Sequence, residues 1–387
     1  MEQQLSQNLI QATEQGDLDA VEQLLKDGAS IDYKDELGRT ALMVAVQKNN
    51  IPVAKRLIDA GSNVNERDIT MLTPYLCAGA NGFHEILKLT IANGADLKMV
   101  NRFGGTALLP SSEKGYLRTV RICLDNGIAV NHANDLGWSA LLESVILGNG
   151  GRLYSDIIEL LVEAGADPNL QDRDGKSSLE HAQSLGQTEV IKILNKENRQ
   201  QHKAILQVKL LIKSDKYEEA LNIVDEALVK DSELADLLYY KAYFLGELKR
   251  YEEALEQYRK GLALNPNDLD FYFYTANTLR MMKKPEEALA EYDKAVELDP
   301  EETFYRYHKS NYLRELGRHE AAVAEMDILL GQQPHRYDFS FHKANSLRSL
   351  GRHQEAIEAI ENAIKHDPTN ALYQKHKAQS QELLANE

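Results

Sequence analysis

A 34-residue period runs through the second half of the chain. Three copies begin at Phe271 (FYFYTANTLRMMKKP), Tyr305 (YRYHKSNYLRELGRH) and Phe339 (FSFHKANSLRSLGRH), and a fourth in the same register begins at Leu237 (LLYYKAYFLGELKRY). Matched positions carry matched residue types. Ala242, Ala276, Ser310 and Ala344 form one small series, and Ala254, Ala288, Ala322 and Ala356 a second. Leu245, Leu279, Leu313 and Leu347 form an apolar series, and Pro266, Pro300, Pro334 and Pro368 close each copy. Small residues at fixed places let two helices approach closely, and a proline just after the second helix cannot continue it. A fixed period of this length means stacked supersecondary units, each burying its apolar face against the next.

These residues resemble tetratricopeptide (TPR) repeats over roughly the last half of the chain. The resemblance implies helix pairs stacked into a right-handed superhelix with a concave groove. A degenerate first unit at about 201–234 keeps Tyr217, Ala220 and Ala227 in register, and Ala371 to about Leu384 reads as a single capping helix. About five units plus a cap are expected over residues 200–387.

From residue 5 to about 199 the period is 33. Segments opening at Arg39, Leu72, Gly105 and Trp138 start 33 residues apart, the last with about five extra residues between its helices. Thr40-Ala41, Thr73-Pro74 and Thr106-Ala107 open helices, and Gly61, Gly94, Gly127 and Gly165 follow the second helices as left-handed C-caps. Turn signals at Asp35-Glu-Leu-Gly, Asn134-Asp-Leu-Gly and Asp172-Arg-Asp-Gly mark the connections. This half resembles ankyrin repeats, with about six units over 1–199, the outer two acting as polar caps. Met43 and Leu76 stand where the family carries histidine, so its hydrogen bonds between repeats are not expected here. The whole is therefore expected to be all-α: two consecutive α-solenoids, ankyrin repeats with short β-hairpin turns and then a TPR superhelix. Residues 195–206, charged and without glycine or proline, read as a helical, semi-rigid join.

Composition narrows the function classes. The net charge of −16 is spread over both halves, and neither is basic, which argues against nucleic acid or an anionic membrane as partner. No stretch approaches the roughly 18 apolar residues of a membrane span, and the N-terminus lacks the apolar core of a signal peptide, so a cytoplasmic location is expected. Cys77 and Cys123 fall in helical patterns and read as small apolar residues, too few for a disulfide framework or a zinc site. No nucleophile–base pair, His-Glu-x-x-His or dinucleotide fingerprint occurs, and Gly148-Asn-Gly-Gly151 lacks the Gly-Lys-Ser/Thr of a phosphate loop. Catalytic residues, metal sites and cofactors are all expected to be absent.

Candidate binding residues come from the first helix of each TPR unit. Tyr272, Ala276 and Leu279 share one face, read as core. One place later, rotated by about 100°, stand Phe273, Asn277 and Arg280, repeated as Tyr307, Asn311, Arg314 and as Phe341, Asn345, Arg348. In TPR proteins this face lines the groove, so stacking makes aromatic, asparagine and arginine ladders. Asparagine can pair with a peptide main chain, and arginine offers a fork for carboxylates. The asparagine row is similar to the one lining the TPR superhelix of O-linked N-acetylglucosamine transferases, which implies holding an extended peptide by its backbone. A chaperone-tail clamp would need lysine where this chain has Tyr239, Phe273, Tyr307 and Phe341. Six such hydrogen bonds sum to ~6–14 kcal/mol gross; less ~2–5 kcal/mol of ordering cost, this suits a micromolar peptide. His308, His342 and His376 also recur at 34, but units about 10 Å apart cannot share one ion at ~2 Å.

In the first half, Phe103 and Trp138 at hairpin tips are the expected partner-facing anchors, with packing against the neighbouring hairpin as the competing role. The expected function is a non-enzymatic adaptor, its ankyrin face on a folded partner and its TPR groove on an extended acidic peptide. A self-associating regulatory module and an effector acting on host proteins are the alternatives; homo-oligomerisation is not legible.

Overall fold

The computed structural model describes residues 2–196, 203–212, 214–230 and 234–385. Two compact units divide between residues 197 and 198. Half of the join read from the sequence, residues 197–202, lies outside the described residues; its last part, from Lys203, is helical.

The first unit is six helix pairs: Glu2–Gln15 with Leu18–Lys26, Ala41–Gln47 with Ile51–Asp59, Pro74–Ala80 with His84–Ala92, Leu108–Glu113 with Leu117–Asp125, Ala140–Ile146 with Arg152–Glu163, and Ser178–Ser184 with Thr188–Leu194. Local chemistry sets the helix starts. Thr40, Thr73, Ser139 and Ser177 each accept the amide three residues on, at 3.1–3.4 Å, which satisfies one of the donors a helix leaves open. The stops are set by Gly61, Gly94, Gly127 and Gly165, at φ +99°, +87°, +75° and +93°, where a side chain would be strained.

The connections repeat one device. The side chains of Asp35, Asp68, Asn101, Asn134 and Asp172 each accept two backbone amides, two and four residues on, at 2.8–3.0 Å. Only isolated bridges, Ala133 with Ser139 and Gln171 with Ser177, stand among the described residues where a longer hairpin ladder could run. Neighbouring tips are joined through Ile69 N to Leu37 O (3.1 Å) and Asp135 N to Phe103 O (2.9 Å). The insert before Arg152–Glu163 is tied down by Gln187, whose Nε2 donates to the carbonyls of Val145 and Gly148 at 2.9 Å each.

The second unit pairs Lys203–Ile212 with Tyr217–Lys230, Ala235–Glu247 with Tyr251–Leu264, Leu269–Met281 with Pro285–Leu298, Thr303–Glu315 with His319–Gln332, and Tyr337–Ser349 with His353–His366, then closes with Ala371–Ala385. The small and apolar series of the repeat are its core: Ala242, Ala276 and Ser310 are fully buried, as are Ala254, Ala288, Ala322 and Ala356. At Gly261 a Cβ would lie 2.4 Å from the Phe271 ring, so only glycine lets that ring, itself fully buried, close the boundary between two units. Each such buried ring contributes about 1.5–3 kcal/mol.

Candidate functional site

The three expected ladders separate in the structure. The aromatic row does not present its rings to a groove: Phe273, Tyr307 and Phe341 are 1–3% exposed. Phe273 packs against Phe304 and His308 of the next first helix, at centroid distances of 4.8 and 5.1 Å. Phe341 packs likewise on Tyr373 and His376. These rings hold units together, while Tyr272, placed in the core by its spacing, is half-buried with its hydroxyl on the Pro266 carbonyl at 3.2 Å. The reason is stacking: the next first helix covers the face that a single helix would leave open.

The asparagines differ from rung to rung. Asn277 Oδ1 accepts from Tyr292 Oη at 2.9 Å and from Arg280 Nη1 at 3.1 Å. Asn345 Oδ1 accepts from Arg348 Nη2 at 2.8 Å. The second-helix residues corresponding to Tyr292 are Met326 and Ile360, which supply no hydroxyl. Asn311, 6% exposed, has no hydrogen-bond partner for its buried Oδ1 among the described residues. An orphaned acceptor of this kind costs about 1–3 kcal/mol.

The arginines are half-buried and each reaches the next unit. Arg280 pairs with Glu315 at 2.7 Å and lies over the Tyr312 ring at 4.7 Å. Arg314 Nη1 meets His342 Nδ1 at 2.7 Å, and Arg348 Nη1 meets His376 Nδ1 at 2.9 Å. A guanidinium only donates, so both imidazoles accept at Nδ1. Burial works against the Arg348 charge and holds its proton affinity below the usual arginine value.

A further row was not found in the sequence, although its 34-residue spacing was there. Lys241, Lys309, Lys343 and Lys377 on first helices pair with Asp225, Asp293, Asp327 and Glu361 on the preceding second helices at 2.5–2.8 Å. At the remaining rung, Thr275 and Arg259 stand instead.

In the first unit, Phe103 and Trp138 are both half-buried at hairpins. Arg102 lies over the Phe103 ring at 4.7 Å. The more exposed apolar residues of this edge are Leu37 (49%), Ile69 (65%) and Met71 (39%). Met71 has φ +68°, at the position where the other tips have Gly38, Gly104, Gly137 and Gly175. Its carbonyl accepts from Arg67 Nη1 at 2.9 Å, and the same nitrogen reaches the Val100 carbonyl. Cys77 and Cys123 are buried and their thiols are pushed up to about 12 by that burial, which leaves them without thiolate reactivity.

Comparison with known proteins finds both repeat types in the chain. The family model for ankyrin repeats (3 copies) matches residues 6–74 and 75–172, and the model for the tetratricopeptide repeat matches 205–268, 245–303 and 307–371. The ankyrin repeat protein YahD of Escherichia coli (strain K12) is 40% identical over 52 residues, 13% of this chain and 26% of that protein, so the match spans about a quarter of the relative. An ankyrin repeat domain (ABAYE2397) from Acinetobacter baumannii AYE is 48% identical, covering 49% of this chain and 96% of that one, with a TM-score of 0.48. The ankyrin repeat protein EF0377 is 40% identical, covering 49% and 97%, also with a TM-score of 0.48. A chain from the structure of Bd0816 predatory endopeptidase from Bdellovibrio bacteriovorus in complex with immunity protein Bd3460 is 26% identical over 49% and 97%, with a TM-score of 0.44. No described helix is long and apolar enough to cross a membrane. The two repeat families indicate a protein–protein interaction module, and the chain belongs to both: ankyrin repeats in its N-terminal part, tetratricopeptide repeats in its C-terminal part.

Proposed function

We propose that the protein is a non-enzymatic adaptor of the cytoplasm whose TPR unit holds an extended acidic segment of one partner. Its ankyrin unit docks a folded partner along the hairpin edge. The observation that carries the first half is the row Arg280, Arg314, Arg348: three half-buried guanidiniums at 34-residue spacing on successive first helices. Elsewhere in the unit the lysine row is neutralised by its own acids, as Arg280 is by Glu315, so Arg314 and Arg348 stand out in a chain of net charge −16. For the second half, Ile69, Met71 and Leu37 supply an exposed apolar edge flanked by Phe103 and Trp138, the composition of a contact surface.

The test is fluorescence polarisation of the full chain with two labelled, unstructured peptides of equal length, one rich in glutamate and one in lysine. The glutamate peptide should bind at micromolar Kd and weaken between low and physiological salt. Equal binding of both, or of neither, would contradict the reading. Adaptor behaviour on the other face is tested by Ile69→Lys, which should leave the peptide affinity unchanged while releasing a folded partner.

A further inference from the structure

The arginine row contains its own demonstration of what it binds. At its first rung the carboxylate of Glu315 sits on Arg280, at 2.7 Å. Glu315 is the last residue of the next first helix, 35 positions on. The residue 35 positions after Arg314 is Ser349, and the one 35 after Arg348 is Leu383. Neither can supply a carboxylate, and both are exposed. So one rung is filled by the chain itself, and the two that follow keep the same arginine without the acid.

Those two rungs are also held in place. His342 and His376 accept from Arg314 and Arg348, and Asn345 takes the other nitrogen of Arg348. Every one of these partners is an acceptor that carries no negative charge. Among the described residues, neither arginine has a carboxylate partner. A guanidinium already oriented and partly desolvated loses little further freedom on pairing, which makes the incoming bond strong and directional.

Spacing then selects the ligand. Adjacent first helices stand about 8–10 Å apart, and an extended chain advances about 3.3 Å per residue. Two carboxylates on neighbouring rungs are therefore about three residues apart in the partner. We propose that Arg314 and Arg348 form a two-point carboxylate reader for an extended segment carrying acidic side chains at i and i+3, with the Arg280 rung closed by Glu315. This rests on the reading of the TPR unit as an acidic-peptide groove and narrows it to two rungs and one spacing.

The test uses the full chain and labelled 12-residue glycine–serine peptides with two glutamates at i,i+3, the same peptide with i,i+1 spacing, and the i,i+3 peptide with both glutamates replaced by glutamine. Ser349→Glu places on Arg314 the carboxylate that Glu315 places on Arg280, and Leu383→Glu does the same for Arg348. Ser349→Gln is the size control, and thermal unfolding confirms that each variant is folded. The i,i+3 peptide should bind at least tenfold more tightly than the other two. Ser349→Glu or Leu383→Glu should weaken it at least tenfold, and Ser349→Gln should not. Binding of both acidic peptides alike, unchanged in Ser349→Glu and Leu383→Glu, would overturn the two-rung assignment and leave an acidic groove. If neither acidic peptide binds better than the glutamine peptide, the groove reading falls as well.

Discussion

Lys309 Nζ lies 2.6 Å from Asp293 Oδ1 across the boundary between two repeats, and the same pair recurs at three other boundaries. At the boundary where Thr275 and Arg259 hold the matching positions, the bridge can be rebuilt. Exposed pairs of this kind contribute about 0.2–1 kcal/mol. The double change Thr275→Lys, Arg259→Asp should raise the unfolding midpoint by about 1–3 °C. Thr275→Lys alone, facing Arg259, should lower it. A double-mutant cycle in urea measures the coupling; a zero or repulsive coupling would contradict the ladder.

Arg348 and His376 make a different inter-repeat link, one that places a donor on a neutral acceptor at 2.9 Å. His376→Phe leaves that guanidinium nitrogen without its acceptor and should cost about 1–3 kcal/mol. Replacing both, as Arg348→Met with His376→Phe, should recover most of the loss, because two apolar groups leave nothing unsatisfied. Chemical denaturation of His376→Phe, Arg348→Met and the double variant checks it. A double variant no better than the sum of the singles would show the pair to be uncoupled.

Met71 is strained where its four counterparts are glycines. A left-handed L-residue costs about 1–2 kcal/mol, partly offset by the stiffer unfolded chain. Met71→Gly should therefore stabilise the ankyrin unit by about 0.5–1 kcal/mol in equilibrium unfolding. It should at the same time weaken binding of the folded partner proposed for that edge. Destabilisation would mean that the Met71 side chain contributes packing that outweighs its backbone.

Glu302 gives the pH dependence. Burial, with the charges of Asp299 and Asp270, raises its carboxyl above the usual value, and the Phe304 amide hydrogen bond opposes this. The folded state thus holds this proton more tightly than the unfolded one. The group's contribution to stability is fully present below the ordinary glutamate range and is lost as pH rises through the raised folded value. Glu302→Gln keeps an oxygen for the Phe304 amide (2.9 Å) and removes the charge. It should unfold at a higher temperature than the parent at pH 7, with the gap narrowing towards pH 4. A gap that persists at pH 4 would assign the effect to packing.

Much of this architecture is legible in the residues themselves. The 34-residue register places every small core position from Ala242 to Ala356, and Asp35, Asn134 and Asp172 announce turns that their side chains then make. Single-helix reasoning fails where a neighbour decides. Phe273 lies one place from the predicted core stripe, yet Phe304 and His308 of the next unit bury it. The partners of the arginines lie 28 or 35 positions away, as His342, His376 and Glu315. Those offsets depend on how first helices stack, which no periodicity within one unit encodes. The orphaned Asn311 carbonyl arises the same way, because Met326 takes the place where Tyr292 serves Asn277.

Hydrogen–deuterium exchange on the full chain, with and without the i,i+3 glutamate peptide, locates the groove directly. Protection should appear on the first helices Thr303–Glu315 and Tyr337–Ser349, with the ankyrin hairpins and the second helices unchanged. Protection on the second helices or on the ankyrin hairpins instead would contradict a groove that reads carboxylates through Arg314 and Arg348.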